Sequence, residues 1–259
     1  MTNNIHKTAI IEDGAIIQAN VSIGPYTVIG PNVEIGENTI IGAHANISGH
    51  TRIGKKNRIS AYTSIGDAPQ HRDYKGEPTR LEIGDNNLIR EFCSIHLGTV
   101  GGGGVTTIGN NNMIMCYVHI AHDCVIGNNT TFANNVALGG HVVIKDFATL
   151  GAGSMIHQFS IIGEYTMLGG VTGVDKDIPP YIIAVGYRAE PRGINSIGIK
   201  RHNFSVEQTE NIKTAYRILY RSDLPYEEAK AKITELAKTQ SELLVFAEFF
   251  KQSSRGIIR

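Results

Sequence analysis

The residues best suited to chemistry lie between positions 119 and 158. His119-Ile120-Ala121-His122-Asp123-Cys124 sets two histidines and a carboxylate within six residues, and Gly140-His141 and His157-Gln158 follow. Imidazole gains and loses a proton near neutral pH, so a histidine can accept the proton of an attacking nucleophile. Acyl transfer also needs a fixed donor for the developing oxyanion, and a backbone N–H at a glycine can be approached closely. His122 as general base and the Gly140 N–H as oxyanion donor make such a pair. Asp123 stands where it can orient or charge-balance the base; an exposed carboxylate at a corner is the alternative.

Whether these groups meet depends on the repeat that carries them. From Ile5 to Ile65 every sixth residue is isoleucine. The series resumes at Ile83, Ile89 and Ile95, then runs from Ile108 to Val174 as Ile, Leu, Phe or Val. A small or branched residue stands two places before most markers, as at Val21, Thr27 and Val33. Alternate residues of a strand share a face, so both positions point inward. A six-residue period fits neither an α-helix nor an ordinary strand, but it fits one short strand plus one bend of a hexapeptide solenoid. Three such units make a coil of about 18 residues, with coils roughly 4.8 Å apart. Ile120 and Cys124 then face inward, and His119 and His122 face outward. One coil beyond His122 lies Gly140, and two coils beyond lies Gln158, with His141 and His157 beside that column.

Two interruptions leave the repeat, at 67–80 and 98–105. The first carries Gln70-His71-Arg72-Asp73-Tyr74 and the second four consecutive glycines, Gly101–Gly104. Insertions in solenoids form loops and often carry the binding site. After Val185 the period ends. Ser205-Val206-Glu207-Gln208 has the form of a capping box opening a helix to about Arg221. A second helix is expected after Asp223 or Leu224, and a third capped by Ser241. The expected division is 1–187 for the solenoid and 188–259 for a small helical domain.

Bulk composition excludes several classes. Net charge is zero, so nothing global points to nucleic acid. Residues 188–259 hold 13 Lys/Arg against 9 Asp/Glu, a mild surplus that suits an acidic partner. Cys93, Cys116 and Cys124 show neither metal nor redox spacing. No apolar signal segment opens the chain and no run spans a bilayer, so a cytoplasmic protein is expected.

The pattern resembles the hexapeptide-repeat acyltransferases, and more closely the UDP-N-acetylglucosamine O-acyltransferases. The residues that carry the resemblance are Gly76-Glu77-Pro78-Thr79-Arg80, His119–Cys124, Gly140-His141-Val142, His157-Gln158-Phe159, Asp177-Ile178-Pro179-Pro180-Tyr181 and Arg255-Gly256. It implies a mainly β chain, a left-handed parallel β-helix followed by helices, assembled as a homotrimer with the site between subunits. It implies transfer of a (3R)-3-hydroxyacyl group from acyl carrier protein to the sugar 3-position, the first step of lipid A synthesis. His122 is then the base and Gly140 the oxyanion donor. Gln70, His71, Asp73, His119, His141, His157 and Gln158 line the sugar, diphosphate and acyl path, with Arg201 at a phosphate and Asn195 beside the nucleotide. Met167 and Gly170 match the segment that closes the acyl groove, and a glycine there leaves room for a chain of about 12–14 carbons or more, with Arg188 as the alternative closure. No metal or bound cofactor is implied; the acyl group arrives on the partner's phosphopantetheine. The sequence departs from the family at His71, where an acid is usual, at Asp73, usually lysine, at Ile197, often glutamate, and at His202, often arginine. These departures keep a UDP 3-amino sugar open as acceptor. Other readings of the repeat are the later N-acyltransferase of the same pathway, a trimeric metal lyase of the carbonic anhydrase type and a silent binding solenoid.

Overall fold

The computed structural model describes residues 2–259. Six-residue units pair in parallel with the unit one coil on. Asn4–Ile5 lies on Ser22–Ile23, which lies on Ile40–Ile41. The result is a left-handed parallel β-helix whose three faces hold eleven, nine and eight strands among the described residues. The first face starts at Asn4–Ile5, the second at Ile10–Ile11 and the third at Ile16–Ile17. Markers from Ile23 onward are buried, as are Val21, Thr27 and Val33 two places earlier, so the inward alternation holds. The isoleucines stack on one another up the axis, and their burial is the main stabilising term of the prism.

Buried polar residues inside the prism are satisfied coil to coil. Asn57 donates its side-chain N–H to Gly84 O and accepts from Asn87 N. Asn87 donates to Gly109 O and accepts from Asn112 N, and Asn112 donates to Gly127 O and accepts from Thr130 N. This ladder crosses both insertions, where the step between coils lengthens from 18 to 30 and then 25 residues.

Each coil turns three corners, and a residue at positive φ makes most of them. At the corner between the first and second faces these include five consecutive rings, Tyr26, His44, Tyr62, Phe92 and Tyr117. Their rings stack at 4.9–5.2 Å, which offsets the cost of the left-handed backbone at residues with side chains. At the corner between the second and third faces the positive-φ residues include Asp123, His141 and Phe159. Both insertions also leave the prism at that corner, between Ser64–Asp67 and Arg80–Ile83, and between Ser94–His96 and Val105–Ile108.

The prism ends in an antiparallel hairpin, Ile182–Val185 with Glu190–Ile194, which carries the chain across position 187. Four helices follow: α1 (Ser196–Arg201), α2 (Val206–Tyr220), α3 (Tyr226–Leu236) and α4 (Leu244–Gln252). The Ser205–Gln208 capping box opens α2 with both reciprocal bonds. The hairpin and α1 were not expected. Ser241 makes no cap; Ser241–Leu243 is a 3-10 turn leading into α4. The helices are tied to the prism by Tyr181, whose buried hydroxyl donates to Glu242 O at 2.8 Å. No helix of the described residues is long and apolar enough to cross a membrane.

The cysteines are free, and burial pushes the thiols of Cys93 and Cys124 up to about 11 and about 12. Both should resist alkylation at pH 8 until the protein unfolds. Asn87→Ala leaves two buried backbone groups unpaired and should cost about 2–4 kcal/mol; a denaturant midpoint unmoved by the change would show that the ladder is dispensable.

Candidate active site

His119 sits in the second-face strand His119–Ile120, and His122 in the turn after it. The coil register carries Gly140 onto His122: a Cβ built on Gly140 would lie 2.5 Å from the imidazole. Only a glycine lets the ring and that backbone come so close. Among the described residues no acceptor takes the Gly140 N–H. The His122 side chain is 12% exposed, and its Nδ1 lies 2.7 Å from Asp123 Oδ2. An ionised carboxylate only accepts, so Nδ1 carries the proton and Nε2 keeps its lone pair.

Asp123 is not the exposed corner carboxylate of the alternative reading; its side chain is fully buried. Oδ1 accepts from Thr99 N at 2.7 Å, and Oδ2 from Thr99 Oγ1 at 2.6 Å. Its own N–H donates to Thr106 Oγ1. Both threonines belong to the second insertion or its edge, so the glycine-rich loop exists to bring Thr99 to Asp123. A Cβ on Gly102 would fall 2.0 Å from the Asp123 carboxylate, which is why the loop closes on that group through a glycine. His122, Asp123 and His141 also offer ligand atoms within 4.8 Å of one another. Both oxygens of Asp123 already accept hydrogen bonds from Thr99, and Oδ2 also faces His122 Nδ1.

Two rings pack directly on His122, and further aromatic side chains lie around them. His71 and His141 each meet His122 edge to face at 5.2 Å. His141 stacks on Phe159 at 4.4 Å. His119 Nδ1 shares a 2.8 Å bond with Ser94 Oγ, and its ring meets buried His96 at 4.9 Å. Burial holds His96 and His119 below the ordinary imidazole range, and neighbouring histidines add to the effect. Burial also lowers His141, against the opposing pull of the Asp123 carboxylate.

A cavity of about 710 Å³ opens beside His122. Gln70, His119, Gly140, His157 and Gln158 line it, and it continues along an apolar floor of Ala137, Leu138, Met155 and Val174 to Tyr187 and Arg188. His71, Asp73 and His141 line a second recess of about 420 Å³ with Thr99 and Phe159. His122 and Gly140 thus stand together in the lining of a trough with an apolar floor.

Residues 177–258 match the family model described as UDP N-acetylglucosamine O-acyltransferase, domain 2, and residues 14–49 and 106–140 match the bacterial transferase hexapeptide model. An acyl-[acyl-carrier-protein]–UDP-N-acetylglucosamine O-acyltransferase of Neisseria gonorrhoeae is 54% identical over 98% of this chain and 99% of its own length. The enzyme of that name from Thiobacillus denitrificans is 52% identical over the same shares. The solved UDP-N-acetylglucosamine acyltransferase of Francisella novicida superposes with a TM-score of 0.97 at 44% identity, covering 98% of this chain and 94% of that one. That of Moraxella catarrhalis gives 0.96 at 41%, covering 98% and 99%. The chain belongs to the UDP-N-acetylglucosamine O-acyltransferase family.

Not every residue expected of a UDP-N-acetylglucosamine O-acyltransferase reaches this cavity within one chain. Met167 pairs on the first face and Gly170 sits at the corner after it, and neither lines the cavity of the single chain. Gly173, Asp175, Tyr187 and Arg188 complete the lining of that cavity. The Asn195 side chain is spent on structure: it accepts from Gly198 N to cap α1 and donates to Tyr165 O. Arg201 is exposed in the last turn of α1, away from His122's cavity. Thr99, Ser94 and His96 were missed from the sequence. The glycine run flagged the loop, but no local signal marks which of its neighbours reaches a carboxylate 24 residues away.

Two predictions follow from these partners. Thr99→Val removes one donor to Asp123 and should lower kcat by about 10–100-fold with the melting temperature near the parent's; steady-state kinetics with a thermal scan checks it. The imidazoles of His96, His119 and His141 titrate below 6.5, their ordinary value, so the unfolded chain binds more protons as pH falls through that range. Their stabilising contribution is complete above about 6.5 and is lost below it. Denaturant midpoints should therefore fall from pH 7 to pH 5, and less steeply in His96→Gln.

Proposed function

We propose that this acyltransferase moves an (R)-3-hydroxyacyl group from the phosphopantetheine thiol of acyl carrier protein to the 3-hydroxyl of UDP-N-acetylglucosamine, with His122 as general base. The relatives' names supply the substrate pair, and in that reading the reaction begins lipid A synthesis. The observation that carries the mechanism is the buried Asp123–His122 pair with Gly140 against the ring.

His122 Nε2 removes the proton of the sugar hydroxyl as its oxygen attacks the thioester carbon. The carbonyl oxygen becomes an oxyanion and takes a hydrogen bond from the Gly140 N–H. Asp123 faces the proton on Nδ1 and stabilises the imidazolium formed. Collapse breaks the C–S bond, and the imidazolium returns its proton to the departing sulfur. The products are a 3-O-acyl sugar and the free pantetheine thiol. His119, kept neutral by burial, donates from Nε2 into the trough when Ser94 donates to its Nδ1. Gln70, His157 and Gln158 position the sugar and the pantetheine arm. His71 and Asp73 stand on the acceptor side.

The chain divides at 187/188 into prism and helical domain in this reading and acts as a cytoplasmic homotrimer. The trimer reading rests on what one chain leaves out: Met167, Gly170, Asn195 and Arg201 do not line the His122 cavity of their own chain, and in this reading they serve a His122 across a subunit boundary. The basic surplus of residues 188–259 suits the acidic carrier protein.

His122→Ala should lower kcat by about 10²–10⁴-fold with the fold retained. The assay offers UDP-N-acetylglucosamine and its 3-amino analogue side by side. Preference for the amine would assign His71 and Asp73 to amide formation, and turnover unchanged in His122→Ala would overturn the base. Mixed trimers of His122→Ala and Arg201→Ala chains should recover activity that neither variant has alone; no recovery would contradict a site shared between subunits.

A further inference from the structure

The C-terminal tail grips the end of the trough. Asp177 is fully buried and clamps it: its carboxylate accepts from Ser253 Oγ at 2.7 Å, its N–H donates to Gly256 O, and its carbonyl accepts from Ile258 N. Between these anchors, Arg255 donates from Nε and Nη2 to the backbone carbonyl of Asp175, at 3.3 and 3.2 Å. The Asp175 carboxylate in turn holds Arg188 Nε at 3.2 Å. Asp175 and Arg188 form the far wall of the trough, beside Tyr187, which rests on Gly173. Beyond that wall lies a separate polar basin of about 700 Å³ that includes Lys176, Arg192 and Arg259.

We propose that Arg255 is a positioning residue for acyl-chain selectivity, acting through Asp175 and Arg188 at the closed end of the trough. The proposal rests on the reading of the trough as the acyl site. The Arg188 side chain is 83% exposed, and an exposed ion pair contributes little order of its own. The fork of Arg255 on the Asp175 carbonyl supplies what the pair lacks, because it fixes the backbone that carries the carboxylate. A methylene pressed against a held charge loses its apolar surroundings, so the wall sets a sharp upper length. With Asp175 released, Arg188 swings toward the basin and the end of the trough opens. Neither Arg255 nor the tail touches the reacting atoms.

The test uses the full-length enzyme and carrier protein charged with hydroxyacyl chains stepped by two carbons. Arg255→Ala should leave kcat on the preferred chain near the parent value. It should raise relative kcat/KM on the next longer chain by about tenfold, the scale of one or two methylenes in an apolar site. Arg188→Ala should broaden the profile likewise, and Arg255→Lys, which keeps a donor for the carbonyl, should fall between. A role in folding alone would lower the melting temperature and leave this ratio unchanged. Broadening in Arg188→Ala with a parental profile in Arg255→Ala would overturn the proposal while leaving the trough reading intact. A parental profile in both would overturn the proposal and the trough reading together. If Arg255→Ala fails to fold, Arg255→Gln is read by the same ratio, and a parental profile there overturns the proposal equally.

Discussion

Everything in this molecule depends on the parallel register of one coil on the next. Each short strand has few internal contacts and gains its stability from the strand one coil away. A slip of one residue would turn every inward isoleucine outward. The buried asparagine ladder opposes such a slip, because its bonds exist only in one alignment, and it holds that alignment across both insertions. The same register sets Gly140 against His122. The constraint that builds the core therefore also builds the site.

The candidate site lies at the corner where both insertions leave the prism. Two loops emerge from consecutive coils, and the next coil presents Asp123 at the bend. A buried carboxylate is costly unless its oxygens are filled. Thr99 and His122 fill them, and that need fixes the loop, the tautomer and the direction of the free lone pair together. Burial shifts His119 and His141 below the ordinary imidazole range, which favours their uncharged forms near His122.

The prism was legible in the sequence because its period is strict and its inward residues are apolar. The column of His122, Gly140 and Gln158 followed from that period alone. The helices after residue 205 were legible where a capping box marked a start. The hairpin at Ile182–Ile194 and α1 were not, since they are short and defined by contacts with the last coil. For Asp123 the sequence left an orienting carboxylate and an exposed corner residue both open, because its burial is produced by a loop whose path no local pattern encodes. Residues that matched the family's motifs, such as Gly170 at a corner and Asn195 at the start of α1, do not line the His122 cavity of the single chain. Motif position gives membership, whereas placement depends on which of the three faces a residue reaches.

In the proposed mechanism Asp123 sets the His122 tautomer so that Nε2 faces the acceptor. The most direct measurement is steady-state acyl transfer by Asp123→Asn, with the melting temperature recorded alongside. An asparagine can turn its amide N–H toward Nδ1 and move the imidazole proton to Nε2, disabling the base. The account predicts a fall in kcat of about 10³-fold or more with KM for the acyl donor little changed. Turnover within about threefold of the parent, in a folded variant, would contradict it.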